Sequence, residues 1–256
     1  MKLALCIGVN KYAGAPLAGC VNDAEDWADV LGDRGFAVST LVDGQATRAA
    51  ILAMIEGLIE SANYRDTVLI QFSGHGTWVP DRNGDEPDHR DEALCPVDYR
   101  QGLILDDDLH ALFDARKHGV KVVMISDSCH SGSVTRFAEP LTGDGASVRF
   151  MPPEIALPPD ELPRALIAQS TVKAAPRHEA LLLSGCNDLE YSYDASFQGR
   201  PNGAFTYVAL RALNTLAPNA TYRDWLRAVR NYLPSQDLPQ TPQLYGTSTM
   251  KRWPVL

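Results

Sequence analysis

The 256-residue sequence has no run approaching 18 uninterrupted apolar residues, no CxxC pair and no excess of basic charge. The first absence argues against a membrane-spanning helix. The second removes the commonest zinc and thiol-exchange frameworks, so Cys6, Cys20, Cys95, Cys129 and Cys186, at scattered spacings, read as free thiols of a reducing, cytoplasmic compartment. The third is 23 Lys and Arg against 32 Asp and Glu, a formal charge of −9, and it argues against nucleic acid and anionic membranes, both of which need clustered cations. A lipoprotein-type leader ending at Leu17-Ala18-Gly19-Cys20 is opposed by the shortness of the apolar run Leu3–Val9, which Asn10-Lys11-Tyr12 breaks. Hydrophobic residues at 45% are enough to fill a sizeable core, which argues against a disordered chain.

What is present alternates. Leu3–Val9 reads as a buried strand, and Ala24, Trp27, Ala28 and Leu31 follow at helical spacing. Phe36–Val42 is a second strand, and Thr47 can cap a helix whose apolar face is Ile51, Met54, Ile55, Leu58 and Ile59. Thr67–Phe72 is a third strand, apolar on both faces; a polar loop then runs to about Gly102. A helix from Asp106-Asp107-Asp108 to Gly119 leads into a fourth buried strand, Val120–Ser126. Further on, a strand at Ala180–Ser184, helices near Gly203–Leu216 and Thr221–Tyr232, and a short segment at Gln243–Tyr245 complete the pattern. Strands alternating with amphipathic helices imply a mainly parallel sheet with helices on both faces, an α/β fold. Residues 1–256 read as one domain, with a larger segment at 1–135, a proline-rich linker at 136–178 and a smaller segment at 179–256. From Phe137 to His178 the chain holds seven of its 17 prolines and no clear period, so this stretch reads as an exposed excursion.

In a parallel sheet, reactive side chains gather at the carboxyl ends of the strands. The third strand runs into Ser73-Gly74-His75-Gly76 and the fourth into Asp127-Ser128-Cys129-His130-Ser131-Gly132. A thiolate is a good nucleophile, and an imidazole within reach can handle the proton that acyl transfer needs. Backbone N–H groups of Gly76 and Cys129 are candidates to face the oxygen that turns negative in the tetrahedral intermediate. His75 and Cys129 are therefore candidate catalytic residues, with the histidine 54 positions upstream. His130 stands next to the nucleophile in sequence and points elsewhere, and Cys6, Cys95 and Cys186 read as packing thiols.

A spacing of about 50 residues is that of caspases. The sequence resembles the metacaspases and orthocaspases among the caspase-like cysteine peptidases, in their short bacterial form. The resemblance rests on Ala4-Leu5-Cys6-Ile7-Gly8-Val9-Asn10, Gly19-Cys20-Val21-Asn22-Asp23-Ala24, Phe72-Ser73-Gly74-His75-Gly76-Thr77, Asp91-Glu92-Ala93-Leu94-Cys95-Pro96-Val97-Asp98-Tyr99, Asp127-Ser128-Cys129-His130-Ser131-Gly132 and Ser184-Gly185-Cys186, with Gly203-Ala204-Phe205-Thr206-Tyr207 and Gln240-Thr241-Pro242-Gln243-Leu244 extending it. It implies a three-layer α/β/α caspase-like fold, a monomer, and cleavage of proteins or peptides after Arg or Lys.

The family's pocket for the side chain before the scissile bond is acidic, and the matching residues are Cys20, Asp23, Ser73 and Asp127. Paired carboxylates suit a buried guanidinium and repel an aspartate. The resemblance also implies a calcium site at Asp91, Asp106 and Asp107, completed by an acid after the nucleophile motif; Arg136 stands there instead, so calcium binding is expected to be weak or absent and no cofactor to be required. Arg136, Arg149, Arg164, Lys173 and Arg177 in the excursion are candidate self-cleavage sites, or solvated surface charge. Two rival readings stay open: a catalytically weak module that binds basic peptides, and a Cys–His amidase or transferase.

Overall fold

The computed structural model of the chain describes residues 1–80, 90–129, 146–157, 179–187 and 190–256. A six-stranded sheet is formed by β1 (Lys2–Gly8), β2 (Ala37–Val42), β3 (Thr67–Ser73), β7 (Lys121–Asp127), β9 (Leu181–Ser184) and β12 (Gln243–Tyr245), in the order β12-β9-β7-β3-β1-β2. All neighbours run parallel except β12, which is antiparallel to β9.

The continuous apolar runs exist because the central strands are covered on both sides. Leu5 and Ile7 of β1, Val68, Ile70 and Phe72 of β3, and Val122 and Met124 of β7 pack on one face with α2 (Arg48–Ser61) and α3 (Asp106–Asp114). Their sequence neighbours Ala4, Cys6, Leu69, Val123 and Ile125 point the other way, toward Trp27 and Leu31 of α1 (Cys20–Asp33), with Phe205 and Trp225 of two C-terminal helices. The three layers of an α/β/α sandwich follow directly from this period-two alternation. Thr47 caps α2 by accepting from the Ala50 N–H at 3.2 Å. Among the described residues, no helix is long and apolar enough to cross a membrane.

The stretch expected as a polar loop holds more structure. β4 (Gly76–Pro80), β5 (Arg90–Leu94) and β6 (Ile104–Leu105) form a separate antiparallel sheet in the order β4-β5-β6. A second small sheet, β11 (Arg200–Gly203), β10 (Tyr193–Phe197) and β8 (Ser147–Val148), was likewise not marked by hydrophobic period. β10 and β11 turn at Gln198 and Gly199, with φ of 54° and 83°, a hairpin geometry that glycine eases. β8 and the short turn α4 (Pro153–Ala156) lie inside the expected excursion. α5 (Ala204–Leu213) and α6 (Tyr222–Val229) follow.

Register is what builds the site. Gly8 pairs with Ser73, and Ser73 with Asp127, so β1, β3 and β7 end in one row, with Ser184 of β9 opposite Ser126. Gly8 allows a close approach there: a β-carbon on it would collide with the Cys20 carbonyl at the start of α1.

Candidate active site

His75 and Cys129 each stand two residues beyond a paired strand end, Ser73 and Asp127. The backbone N–H groups of Gly76 and Cys129 converge on a single oxygen, the Arg149 carbonyl, at 3.0 and 3.2 Å. Two donors aimed at one carbonyl from two strand ends have the arrangement of an oxyanion hole.

The His75 ring is 3% exposed, with Nε2 at 2.8 Å from the Ala15 carbonyl. A carbonyl only accepts, so Nε2 carries the proton and Nδ1 is left with its lone pair. Among the described residues Nδ1 has no hydrogen-bond partner. Tyr12 holds the ring in place, with ring centroids 4.7 Å apart and its hydroxyl accepting the His75 backbone N–H at 3.1 Å. Burial, first of all, lowers the His75 pKa to about 4, and the Arg149 cation adds to it. The imidazole is neutral at pH 7.

Cys129 is fully buried, and its Sγ accepts the Ser192 N–H. Cys186, expected as inert packing, is hydrogen-bonded to Cys129; that bond and burial push its thiol well above the ordinary range. Cys6 and Cys95 are buried thiols, both pushed up by burial, Cys6 to about 12; the Cys95 backbone N–H donates to the His75 carbonyl at 2.9 Å. His130 lies outside the described residues.

Arg149 is the largest departure from expectation. The sequence places it in an exposed excursion, yet its side chain has no exposed surface, because carboxylates replace the water a guanidinium would otherwise keep. Its Nη2 lies 2.7 Å from Asp23 and 2.8 Å from Asp194; its Nη1 lies 3.2 Å from the Asp127 carboxylate. Asp23 and Asp127 are thus brought together around one cation. Asp23 also accepts from Gly203 N–H at 2.9 Å, and Asp127 from Thr206 N–H at 2.9 Å and its hydroxyl at 2.8 Å, both on the edge of α5. Burial raises the Asp23 pKa above the usual carboxylate range despite the Arg149 cation, and Asp127 beside it pushes the same way. Cys20 is fully buried at the head of α1 beside this group, its thiol pushed well up by burial. Ser73, also fully buried, has its hydroxyl at 2.8 Å from Gln71 Nε2.

The main chain around Arg149 is laid down like a strand. Its N–H donates to the Ser192 carbonyl at 2.9 Å, Val148 pairs with Tyr193, and the Met151 N–H donates to the Gly76 carbonyl at 2.9 Å. Asp194, in contact with the guanidinium, was missed: it carries no motif of its own and sits on a strand that hydrophobic period does not reveal.

Of the expected calcium ligands, Asp91 is 5% exposed on β5, while Asp106 and Asp107 open α3. Among the described residues no three His, Cys, Asp or Glu side chains form a group that could hold a metal ion. Asp91, Asp106 and Asp107 therefore do not make a cage by themselves. Arg136, with Arg164, Lys173 and Arg177, lies outside the described residues.

A parallel-centred α/β/α sandwich, with a cysteine and a histidine beyond adjacent strand ends, an acidic pocket and paired backbone donors beside them, defines a caspase-like protein. Comparison with known sequences agrees: a family model described as Caspase domain matches residues 1–253, and the chain belongs to that family of cysteine peptidases. It is 31% identical over 293 residues to metacaspase-1B of Aspergillus oryzae, covering 95% of this chain and 67% of the relative. Metacaspase-1 of Cryptococcus neoformans is 31% identical, with 97% and 63% covered, so the chain spans about two thirds of the length of these fungal proteins. The crystal structure of protein GSU0716 from Geobacter sulfurreducens is similar over 99% of this chain and 97% of that one, with a TM-score of 0.76 and 35% identity.

Proposed function

We propose that the protein is a cysteine endopeptidase that cleaves peptide bonds after arginine or lysine, and that it can process itself. The observation that carries this reading is the pose of Arg149: side chain among carboxylates, carbonyl on two N–H donors, main chain paired with β10. Cys129 Sγ attacks the carbonyl carbon while His75 Nδ1 takes the thiol proton. The oxygen, now negative, is held by the Gly76 and Cys129 N–H groups. His75 returns the proton to the departing amine, and water adds to the thioester to free Cys129. The bond after Arg149 is the first candidate for self-processing. The free thiols support a cytoplasmic enzyme, and Arg136, standing where the resemblance expects an acid, supports activity without calcium.

The test is hydrolysis of matched reporter peptides. An arginyl reporter is turned over, an aspartyl one is not, and Cys129→Ala abolishes turnover. Mass spectrometry of the same samples finds a cut after Arg149 only with Cys129 present. Equal cleavage of both reporters, or cleavage that survives Cys129→Ala, overturns the reading.

A further inference from the structure

The pocket holds one carboxylate more than the sequence marks out. We propose that Asp194 is a specificity-determining residue that makes the pocket select arginine over lysine, an inference that rests on the peptidase reading above.

A guanidinium carries four N–H bonds on its two terminal nitrogens, in a fixed plane. Nη1 of Arg149 donates to the Asp127 carbonyl at 3.1 Å and faces the Asp127 carboxylate at 3.2 Å. Nη2 has Asp23 at 2.7 Å and Asp194 at 2.8 Å. Of these carboxylates Asp194 takes a hydrogen bond from the fork, on Nη2, while those of Asp23 and Asp127 flank the group at ion-pair distance on its two sides. The fifth N–H, on Nε, has no acceptor among the described residues, so the recognition is concentrated at the fork. An ammonium presents three hydrogens at one point and cannot meet acceptors on both sides of a space the width of a guanidinium. The two flanking carboxylates are enough to neutralise it, whereas the guanidinium plane also directs an Nη2 hydrogen at Asp194.

Asp194 is built for this. It is 5% exposed, and it accepts the Ala18 N–H at 2.7 Å and the Gly19 N–H at 3.0 Å, which fix its plane. It stands on β10, opposite Gly203 and Ser147, two residues after the Ser192 carbonyl that receives the Arg149 N–H. One strand thus reads both the main chain and the side chain of the bound residue. The space is kept by two residues without side chains: a β-carbon on Gly19 would meet the Asp194 carboxylate, and one on Gly203 would meet Asp127 and the guanidinium itself.

The experiment measures kcat/KM for matched arginyl and lysyl reporters with the unmutated protein and with Asp194→Asn. The unmutated enzyme favours arginine at least tenfold. Asp194→Asn loses about 30-fold on arginine, the worth of one hydrogen bond to a buried charge, and less on lysine, so the ratio moves toward one. Simple structural damage lowers both rates together and leaves the ratio alone. Equal rates on the two reporters before mutation, or an unchanged ratio after it, overturn the proposal. Should Asp194→Asn not fold, or should neither reporter be cleaved, Arg149→Gln vacates the pocket and thermal-midpoint shifts by butylguanidine and pentylamine decide. A larger shift by the guanidine supports the proposal and an equal shift sinks it. Absence of all hydrolysis removes the peptidase reading alone, because the binding comparison needs no turnover.

Discussion

His75 donates its Nε2–H to the Ala15 carbonyl and leaves Nδ1 with its lone pair, and burial first, with the Arg149 cation beside it, disfavours the charged ring. Its pKa near 4 in the closed site has a direction that can be worked out. The folded pKa lies below the unfolded value of about 6.5, so the folded state disfavours the proton. Stability is full above about pH 6.5 and falls as pH drops toward 4, by up to about 3 kcal/mol for this group. NMR titration of Cys129→Ala, with His75 identified by difference from His75→Gln, should show its midpoint near 4. Arg149→Gln, which removes the neighbouring cation, should move that midpoint upward; a midpoint of 6.5 in the closed protein would refute the assignment. The two candidate catalytic residues, His75 and Cys129, were legible in the sequence because each follows an apolar strand and sits beside glycine or serine. Asp194 was not, because an acid two residues from Ser192 in a polar stretch looks like solvated surface until the strand that carries it is seen.

At the scale of elements, the parallel strands announced themselves through uninterrupted apolar runs, and α2 through its cap and its Ile51, Ile55 and Ile59 stripe, all buried. The small antiparallel sheets did not. β5 and β11 read RDEAL and RPNG, sequences whose pairing comes from backbone bonds and from the neighbours they cover rather than from hydrophobic alternation. The consequence falls at the candidate site, since β8 leads into Arg149, β10 carries Asp194, and β11 ends at Gly203 beside the guanidinium. Gly203 at the junction of β11 and α5 tests this packing. Gly203→Ala places a methyl group against Asp127 and the guanidinium, an overpacking worth roughly 1–3 kcal/mol. Hydrolysis of the arginyl reporter should fall about tenfold or more in kcat/KM, and an unchanged rate would mean that the pocket is wider than described.

The molecule as a whole places its chemistry along one edge of a rigid sheet, with Trp27, Trp225 and Phe205 fully buried on one face and Phe72, Ile51 and Ile70 on the other. The edge is set by three strand ends in register, and the proposed reaction routes no step through a metal ion. Dialysis against a calcium chelator should leave arginyl-reporter turnover within about twofold, and titration calorimetry should detect no micromolar site that Asp91→Ala removes. A chelator that abolishes activity, reversed by added calcium, would show that residues outside the described set complete a cage.

Arg149 also changes what any measurement of affinity on this chain would mean. A ligand tethered to its own receptor competes at a fixed local concentration that dilution cannot lower. If the strand is docked about 99% of the time, every basic peptide added from outside binds about a hundredfold more weakly than the vacant pocket allows. Cutting the chain after Arg149 would leave Arg149 joined to Cys129 through residues 130–148 but untie it from Phe150, so the rival is held at one end instead of two and docks less tightly, raising apparent affinity without altering a single group in the pocket. Progress curves of freshly prepared protein would then bend upward with time, their lag set by the release of that end rather than by turnover of the reporter.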